Sequence, residues 1–134
     1  MKRFLVKKQY IIVRGLLEHS NRILVIRDTE NPASLEYYEL PGGYVEFGKD
    51  PVKALGAFFF QQTRIPIRVG APFRTTSRIS PHDDVHTVEI IYRVRSTQDI
   101  NLGPTHITLQ WIEPDDTGYF LSSRITKTIR ASLR

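Results

Sequence analysis

The first third of the chain contains short β-rich apolar runs separated by polar segments. β-rich runs at residues 9–13 and 22–26 flank Glu18-His19-Ser20-Asn21, and this arrangement predicts a hairpin with a polar turn. A polar loop follows at residues 28–34. Residues 35–40 then form a candidate short strand that leads into Pro41-Gly42-Gly43, which we interpret as a turn.

The pattern changes to helical spacing after residue 50. Asp50 and Pro51 together indicate a helix start, because Asp caps free backbone N–H groups and Pro fits the first helical position. The helix is predicted to end at residue 62 or 63. The residues at helical spacing that are predicted to form its core face are Val52, Leu55 and Phe59.

The rest of the chain predicts further strands and a terminal helix. Strands are predicted within residues 68–78, at 87–94 and at 105–112, with a polar loop at 80–84. One face of the second strand carries Val88, Ile90, Tyr92 and Val94. Ser122 or Ser123 caps a C-terminal helix with an apolar stripe of Leu121, Ile125, Ile129 and Leu133. This order predicts an α/β fold in which a mixed β-sheet is sandwiched between α-helices, and we expect one domain over residues 1–134.

Composition narrows the chemistry that is available. The chain has no cysteine, which excludes disulfides, thiolate metal ligands and cysteine nucleophiles. No apolar run approaches the roughly 20 residues that cross a bilayer, so we expect a cytoplasmic protein with no membrane contact. The net charge is +5, and the basic residues are scattered except on the C-terminal helix. That helix is interpreted as a surface element, with RNA phosphates or an acidic partner as the alternatives.

Leu40-Pro41-Gly42-Gly43-Tyr44-Val45-Glu46-Phe47-Gly48 resembles the start of a Nudix box, G-x5-E-x7-R-E-U-x-E-E-x-G-U, where U is a bulky aliphatic residue. The segments at 13–27, 87–92 and 109–112 resemble the family's first hairpin, a later core strand and the terminal strand with its tryptophan. The resemblance covers residues 9–130. It implies the Nudix fold and hydrolysis of nucleoside diphosphates linked to another group, with box glutamates holding Mg²⁺ or Mn²⁺.

The residues that would carry this chemistry are replaced. With the first box glycine placed on Gly43, the first glutamate, the arginine, the next glutamate and the glutamate pair fall on Lys49, Ala57, Phe58, Gln61 and Gln62. A further glutamate that relatives often carry before the tryptophan strand is also missing, since this stretch reads His106-Ile107-Thr108. We therefore predict a degenerate box, no confident catalytic residue and no metal cofactor.

Five other residues are candidate ligand contacts. Glu39 occupies a position that lines the substrate pocket in some relatives, although a strand-edge charge is the simpler interpretation. Glu46 is either an exposed loop carboxylate or a surviving contact. Gly42 and Gly43 start the box loop, and close backbone approach to a ligand is their second interpretation. His86 belongs to a solvent loop or to the border of the pocket.

Three functional hypotheses follow from these residues. The first is a catalytically silent Nudix-like module that binds a nucleotide-like ligand or a protein. The second is a remodelled hydrolase that acts on an NDP-sugar or ADP-ribose-like substrate, using Mg²⁺ or Mn²⁺. Its available groups are Glu39, Glu46, Asp83, Asp84 and His86. The third is an RNA-binding or assembly module, with a homodimer or protein interface at Phe58 and Phe60.

Overall fold

The computed structural model describes residues 7–28, 37–80, 82, 84–100, 107–115 and 123–132. In chain order the elements are β1 (Lys8–His19), β2 (Arg22–Asp28), β3 (Gly42–Tyr44), α1 (Pro51–Thr63), β4 (Ile67–Ser80), β5 (Val85–Ser96), β6 (Ile107–Ile112) and α2 (Ser123–Ser132). The predicted alternation of strands, helix, strands and helix is confirmed. No helix in the described ranges is long and apolar enough to cross a membrane.

β1 lies at the centre of a mixed sheet with the strand order β4-β5-β1-β2-β6. One edge of β1 pairs in parallel with β5, from Lys8 opposite Val85 to Leu17 opposite Val94. The other edge pairs antiparallel with β3 in its first half and with β2 at its end. β4 is antiparallel to β5, and β6 is antiparallel to β2.

The two faces of this sheet are covered by different helices. Because side chains alternate along a strand, Leu16 packs in a cluster with Ile125 and Ile129 of α2. Val13 and Leu17 pack on the opposite face in a second cluster, which contains Leu55 and Phe59 of α1 together with Tyr92 and Val94 of β5. The predicted architecture of a mixed sheet between helices is confirmed. Of the predicted α2 stripe, Leu121 and Leu133 lie outside the described residues.

β1 is longer than the apolar pattern predicted. Arg14 and Gly15 interrupt the pattern, yet Arg14 is buried in an ion pair and Gly15 makes room for the Phe59 ring, which a Cβ would approach to 2.9 Å. The strand therefore continues to His19, and the turn shrinks to Ser20-Asn21. Both residues have positive φ, 52° and 62°, as a two-residue hairpin turn of type I′ requires.

α1 begins as its sequence predicted. The Asp50 carboxylate accepts a hydrogen bond from the Lys53 backbone N–H at 2.9 Å, and Pro51 is the first helical residue. The buried residues are Leu55, Phe59 and Thr63. The prediction that Val52 faces the core is wrong, because the first turn follows an exposed loop and leaves this side chain 42% exposed.

The segment before α1 also differs from the prediction. Gly42 and Gly43 do not form a turn, because they lie in β3 opposite Arg14 and Val13. A Cβ at Gly42 would sit 1.9 Å from the Val13 carbonyl oxygen, so the close pairing of the two strands requires glycine there. Of the candidate strand at 35–40, only its last residues are described, and Glu39 makes an isolated bridge with Ile26.

Candidate functional site

An open groove of about 370 Å³ lies between α1 and the loop that follows β3. We call it the box groove. Its lining includes Lys49, Ala57, Phe58 and Gln61, four of the five positions that the resemblance to the Nudix box singled out, together with Glu46 and Lys53. The resemblance to the Nudix box therefore identified residues that the fold brings together around one concave surface.

Phe58 forms an apolar wall of the box groove. Its side chain is half-buried and packs against the core cluster on the α1 side of the sheet. Carbon atoms of its ring lie 3.1 Å from the point where a Cβ on Gly43 would stand. Phe58 thus lines the groove, and no side chain larger than hydrogen fits at Gly43 while this ring stays in place.

Gln62 is not among the lining residues of the box groove, and its side-chain amide is bonded to the backbone. Its Oε1 accepts a hydrogen bond from the Gly42 N–H at 3.0 Å, and its Nε2 donates to the Gly42 carbonyl oxygen at 2.8 Å. Both bonds are made to the edge of β3 that faces away from β1, so the amide takes the place of a neighbouring strand. A carboxylate has no donor and can make only one of these bonds.

Of the other three box positions, Ala57 is apolar, Gln61 is polar but uncharged, and Lys49 is basic. Lys49 and Gln61 are exposed. The Lys49 N–H donates to the Glu46 carbonyl at 3.0 Å, which closes the turn at the tip of the loop. Of the two acids here, Glu46 is exposed and Asp50 caps α1. Hard divalent cations prefer several carboxylate or carbonyl oxygens, so these residues do not fit Mg²⁺ or Mn²⁺.

Glu39 lies outside the box groove, in an ion cluster on the opposite face of the sheet. Arg14 Nη2 pairs with a Glu39 carboxylate oxygen at 3.0 Å, and Arg14 Nε pairs with Glu89 at 2.5 Å. Arg14 Nη1 also donates to the Leu40 carbonyl at 2.7 Å. The simpler interpretation of Glu39, a charge at a strand edge, therefore needs one addition: its carboxylate pairs with a buried arginine.

Arg14 and Glu89 were not among the site residues predicted from the sequence. Glu89 is fully buried and Arg14 is 8% exposed. A signal was present, since each is a lone charge inside an apolar β-run, and a buried charge requires a partner. The sequence does not say which charges pair, because Arg14 and Glu89 are 75 residues apart.

His86 belongs to β5 and not to a solvent loop. Its Nδ1 is hydrogen-bonded to Gln9 Nε2 at 2.9 Å and its Nε2 to Ser77 Oγ at 2.7 Å. It lines another cleft, with Asp84 and Ile79 among its neighbours, and that cleft shares no lining residue with the box groove.

The groups that a remodelled hydrolase would need are thus spread over three places. Glu46 is in the box groove, Glu39 is paired with Arg14, and Asp84 and His86 are in the cleft that contains Ile79. Asp83 and His106 lie outside the described residues. Among the residues that the structure describes, no three histidine, cysteine or acidic side chains are grouped so that they can hold a metal ion.

The two phenylalanines proposed as an interface differ in their surroundings. Phe60 is 45% exposed, and the Arg64 guanidinium lies 5.8 Å from its ring centre. Phe58 and Phe60 are two residues apart in α1, which corresponds to a rotation of about 200° around the helix axis. Phe60 therefore does not continue the surface formed by Phe58. Sequence reasoning also passed over Phe47, which is fully exposed at the tip of the box loop.

Comparison with known proteins places this geometry in a structural class. No protein-family model and no curated protein matches the sequence. Among solved structures, the MutT Nudix hydrolase from Burkholderia pseudomallei has a TM-score of 0.76 at 16% identity, covering 92% of this chain and 98% of that one. The MutT protein from Methanosarcina mazei Go1 has a TM-score of 0.76 at 17% identity, covering 98% and 99%.

A third similar structure is a UDP-X diphosphatase, with a TM-score of 0.72 at 14% identity, covering 99% of this chain and 67% of that one. The chain therefore has the Nudix fold. At these identities the similarity establishes the fold alone, and activity must be argued from the residues of the site.

Proposed function

We propose that the chain is a Nudix-fold binding module that takes a nucleotide-like ligand in the box groove, without a divalent metal and without hydrolysing it. The observation that carries this proposal is the engagement of Gln62 with both polar backbone atoms of Gly42. The box position that relatives use for a metal ligand is here part of the strand edge. The neighbouring positions supply an aromatic wall and cations.

The lining of the box groove supports a ligand with an apolar ring and an anionic group. The half-buried Phe58 ring offers an aromatic surface for a base. Lys49 and Lys53 place ammonium groups at the same groove, where each can donate to phosphate oxygens. Because Asp50 caps α1, its carboxylate does not neutralise these lysines fully.

Thermal-shift screening of a nucleotide library, with and without Mg²⁺, tests the binding proposal. We expect at least one nucleotide to raise Tm equally with Mg²⁺ and with EDTA, because a ligand that binds the folded state stabilises it by mass action. Lys49→Gln should lower the affinity for that nucleotide about tenfold or more, since it removes a charge-assisted contact. Lys8→Gln is the matched control, because Lys8 is also exposed but lines the cleft that contains His86.

Turnover is tested separately with ADP-ribose, NDP-sugars and dinucleoside polyphosphates, because binding and hydrolysis are distinct parts of the proposal. We expect no products with Mg²⁺ or Mn²⁺, and no metal binding by calorimetry at micromolar concentrations. Either metal-dependent turnover or micromolar metal binding would establish the remodelled-hydrolase alternative instead.

A protein-binding or assembly role has one observation in its favour, the exposure of Phe60. Static light scattering of wild type and Phe60→Ser distinguishes it. A dimer in the wild type that dissociates in the variant would support assembly through this ring. An RNA role would be supported if substitution of the exposed Lys127 and Arg130 on α2 abolished binding of a labelled single-stranded RNA.

A further inference from the structure

Another cleft, of about 640 Å³ and separate from the box groove and the cleft around His86, lies on the face of the sheet that α2 covers. We call it the arginine cleft. Its lining includes Arg68, Arg93, Arg95, Glu18, Gly70 and Leu16. Leu16 belongs to the core cluster that contains α2, and Arg93 Nη2 lies 3.4 Å from the Ser132 carbonyl at the end of that helix. The arginine cleft shares no lining residue with the box groove, which is on the α1 face.

The arginines of this cleft are held close together by strand register. Arg68 in β4 is directly opposite Arg95 in β5, which separates their Cβ atoms by about 5 Å. Arg93 is two residues before Arg95 on the same face of β5, at about 7 Å. Like charges that face each other across an antiparallel pair oppose strand pairing, so this arrangement is unfavourable unless an anion lies between them.

The charge of the arginine cleft is not balanced by the chain itself. Across the described ranges, the side chains of Arg68, Arg95 and Glu18 form no hydrogen bond or ion pair. Arg93 lies 4.7 Å from the Phe73 ring centre in addition to its contact with Ser132. Glu18 is the one acidic side chain among the lining residues, which leaves an excess of two positive charges.

We infer that the arginine cleft is a binding site for a small, multiply charged phosphate anion, such as a diphosphate or triphosphate group. The planar fork of a guanidinium donates two parallel hydrogen bonds to phosphate oxygens. Three arginines whose neighbouring Cβ atoms are about 5–7 Å apart match a group with several charged oxygens. The volume is that of a small-molecule site. A bounded cleft, rather than a stripe of basic residues along the surface, favours a small anion over a nucleic acid strand.

Strand geometry also makes the site rigid. The β4–β5 ladder pairs Arg68 with Arg95, and the β1–β5 ladder pairs Leu16 with Arg93, so strand pairing holds all three Cα positions. Gly70 lies so close to β5 that a Cβ would be 2.9 Å from the Arg93 carbonyl oxygen. A side chain at Gly70 would therefore push β4 away from β5 beside the arginines. This inference is independent of the proposed function, because it concerns other residues on the other face of the sheet.

Inorganic tripolyphosphate is a suitable probe, used at constant ionic strength with thermal unfolding and calorimetry. We expect it to raise the Tm of the wild type by several degrees at about 100 times Kd. Arg68→Gln and Arg95→Gln should each weaken binding about tenfold or more. Arg78→Gln is the control, because Arg78 is exposed on the same strand but pairs with Thr87 at its far end.

The unliganded proteins provide a second readout. Removing one charge of the facing pair should raise Tm by roughly 1–4 °C in Arg68→Gln or Arg95→Gln, and Arg78→Gln should leave it unchanged. Equal weakening of tripolyphosphate binding in all three variants would overturn the inference, since it would indicate a general charge effect. So would a lower Tm for both unliganded cleft variants, or displacement of tripolyphosphate by a single-stranded oligonucleotide. Lys49→Gln should bind tripolyphosphate normally, which keeps this test separate from the box groove.

Discussion

Placing a carboxylate at position 62, where the Nudix box has a glutamate, should destabilise the protein instead of creating a metal site. Gln62→Glu keeps an oxygen near the Gly42 N–H but loses the Nε2 donor that lies 2.8 Å from the Gly42 carbonyl. A carboxylate oxygen would then face the carbonyl oxygen of the buried Gly42. Leaving this acceptor unpaired costs about 1–3 kcal/mol. The stronger N–H bond to the carboxylate offsets part of that, for a net loss of about 1–2 kcal/mol.

Urea unfolding followed by circular dichroism measures this loss. The midpoint should fall with an unchanged m-value, and Tm should fall by roughly 3–8 °C. Gln61→Glu is the matched control, because Gln61 is the exposed neighbour, and its change should stay within about 0.5 kcal/mol. Millimolar Mg²⁺ should not restore the stability of Gln62→Glu.

The pH dependence of Gln62→Glu provides an internal check. In its neutral form the introduced carboxyl can donate to the Gly42 carbonyl and accept from the Gly42 N–H, as the amide does. Folding should therefore raise the pKa of that carboxyl, and the contribution of the neutral form is lost as pH rises through the folded-state pKa. The stability deficit relative to wild type should be smaller at pH 4 than at pH 7. A variant as stable as wild type at pH 7, or one rescued by Mg²⁺, would refute the role assigned to Gln62.

Three further predictions concern the stability effects of substitutions at Arg14, Gly42 and Gly56. Arg14→Met should cost about 3–5 kcal/mol in urea unfolding, because it leaves Glu89 buried without its partner, and adding Glu89→Leu should recover most of the loss; a neutral single variant would contradict this. Gly42→Ala should lose roughly 3 kcal/mol or more, because its Cβ would meet the Val13 backbone, which cannot move aside; normal expression and Tm would argue against it. Gly56→Ala should instead gain about 0.5–1 kcal/mol, since nothing lies within 4 Å of its Cβ in α1, and an unchanged or lower Tm would count against this.

What the sequence predicts well is local. The bounds of α1 follow from Asp50 and Pro51 at one end, and they are close to the predicted ones because capping and proline geometry act within a few residues. The alternation along β5 is also correct, since Ile90, Tyr92 and Val94 face one cluster. The composition of the box groove was predictable in the same way, because its residues are within 18 positions of one another, from Tyr44 to Gln61.

Contacts between distant segments could not be predicted in this way. The extension of β1 past Arg14 depends on Glu89, and the length of β4 depends on its pairing with β5 through a bulge near Pro72. The two bonds between Gln62 and Gly42 join residues 20 positions apart. The sequence shows which residue stands at position 62, but only the packed chain shows the partner of its amide.

The parallel pairing of β1 with β5 also constrains the order of folding. Its partners are separated by 77 positions at Gln9 and His86, whereas the β1–β2 hairpin closes across two residues and β4 adjoins β5 in the chain. Long-range contacts require a larger loss of chain entropy before they form. We therefore expect the two local strand pairs to form first and the central ladder to dock last. During synthesis, one edge of β1 remains unpaired until β5 has left the ribosome, and in this interval the chain is most exposed to aggregation.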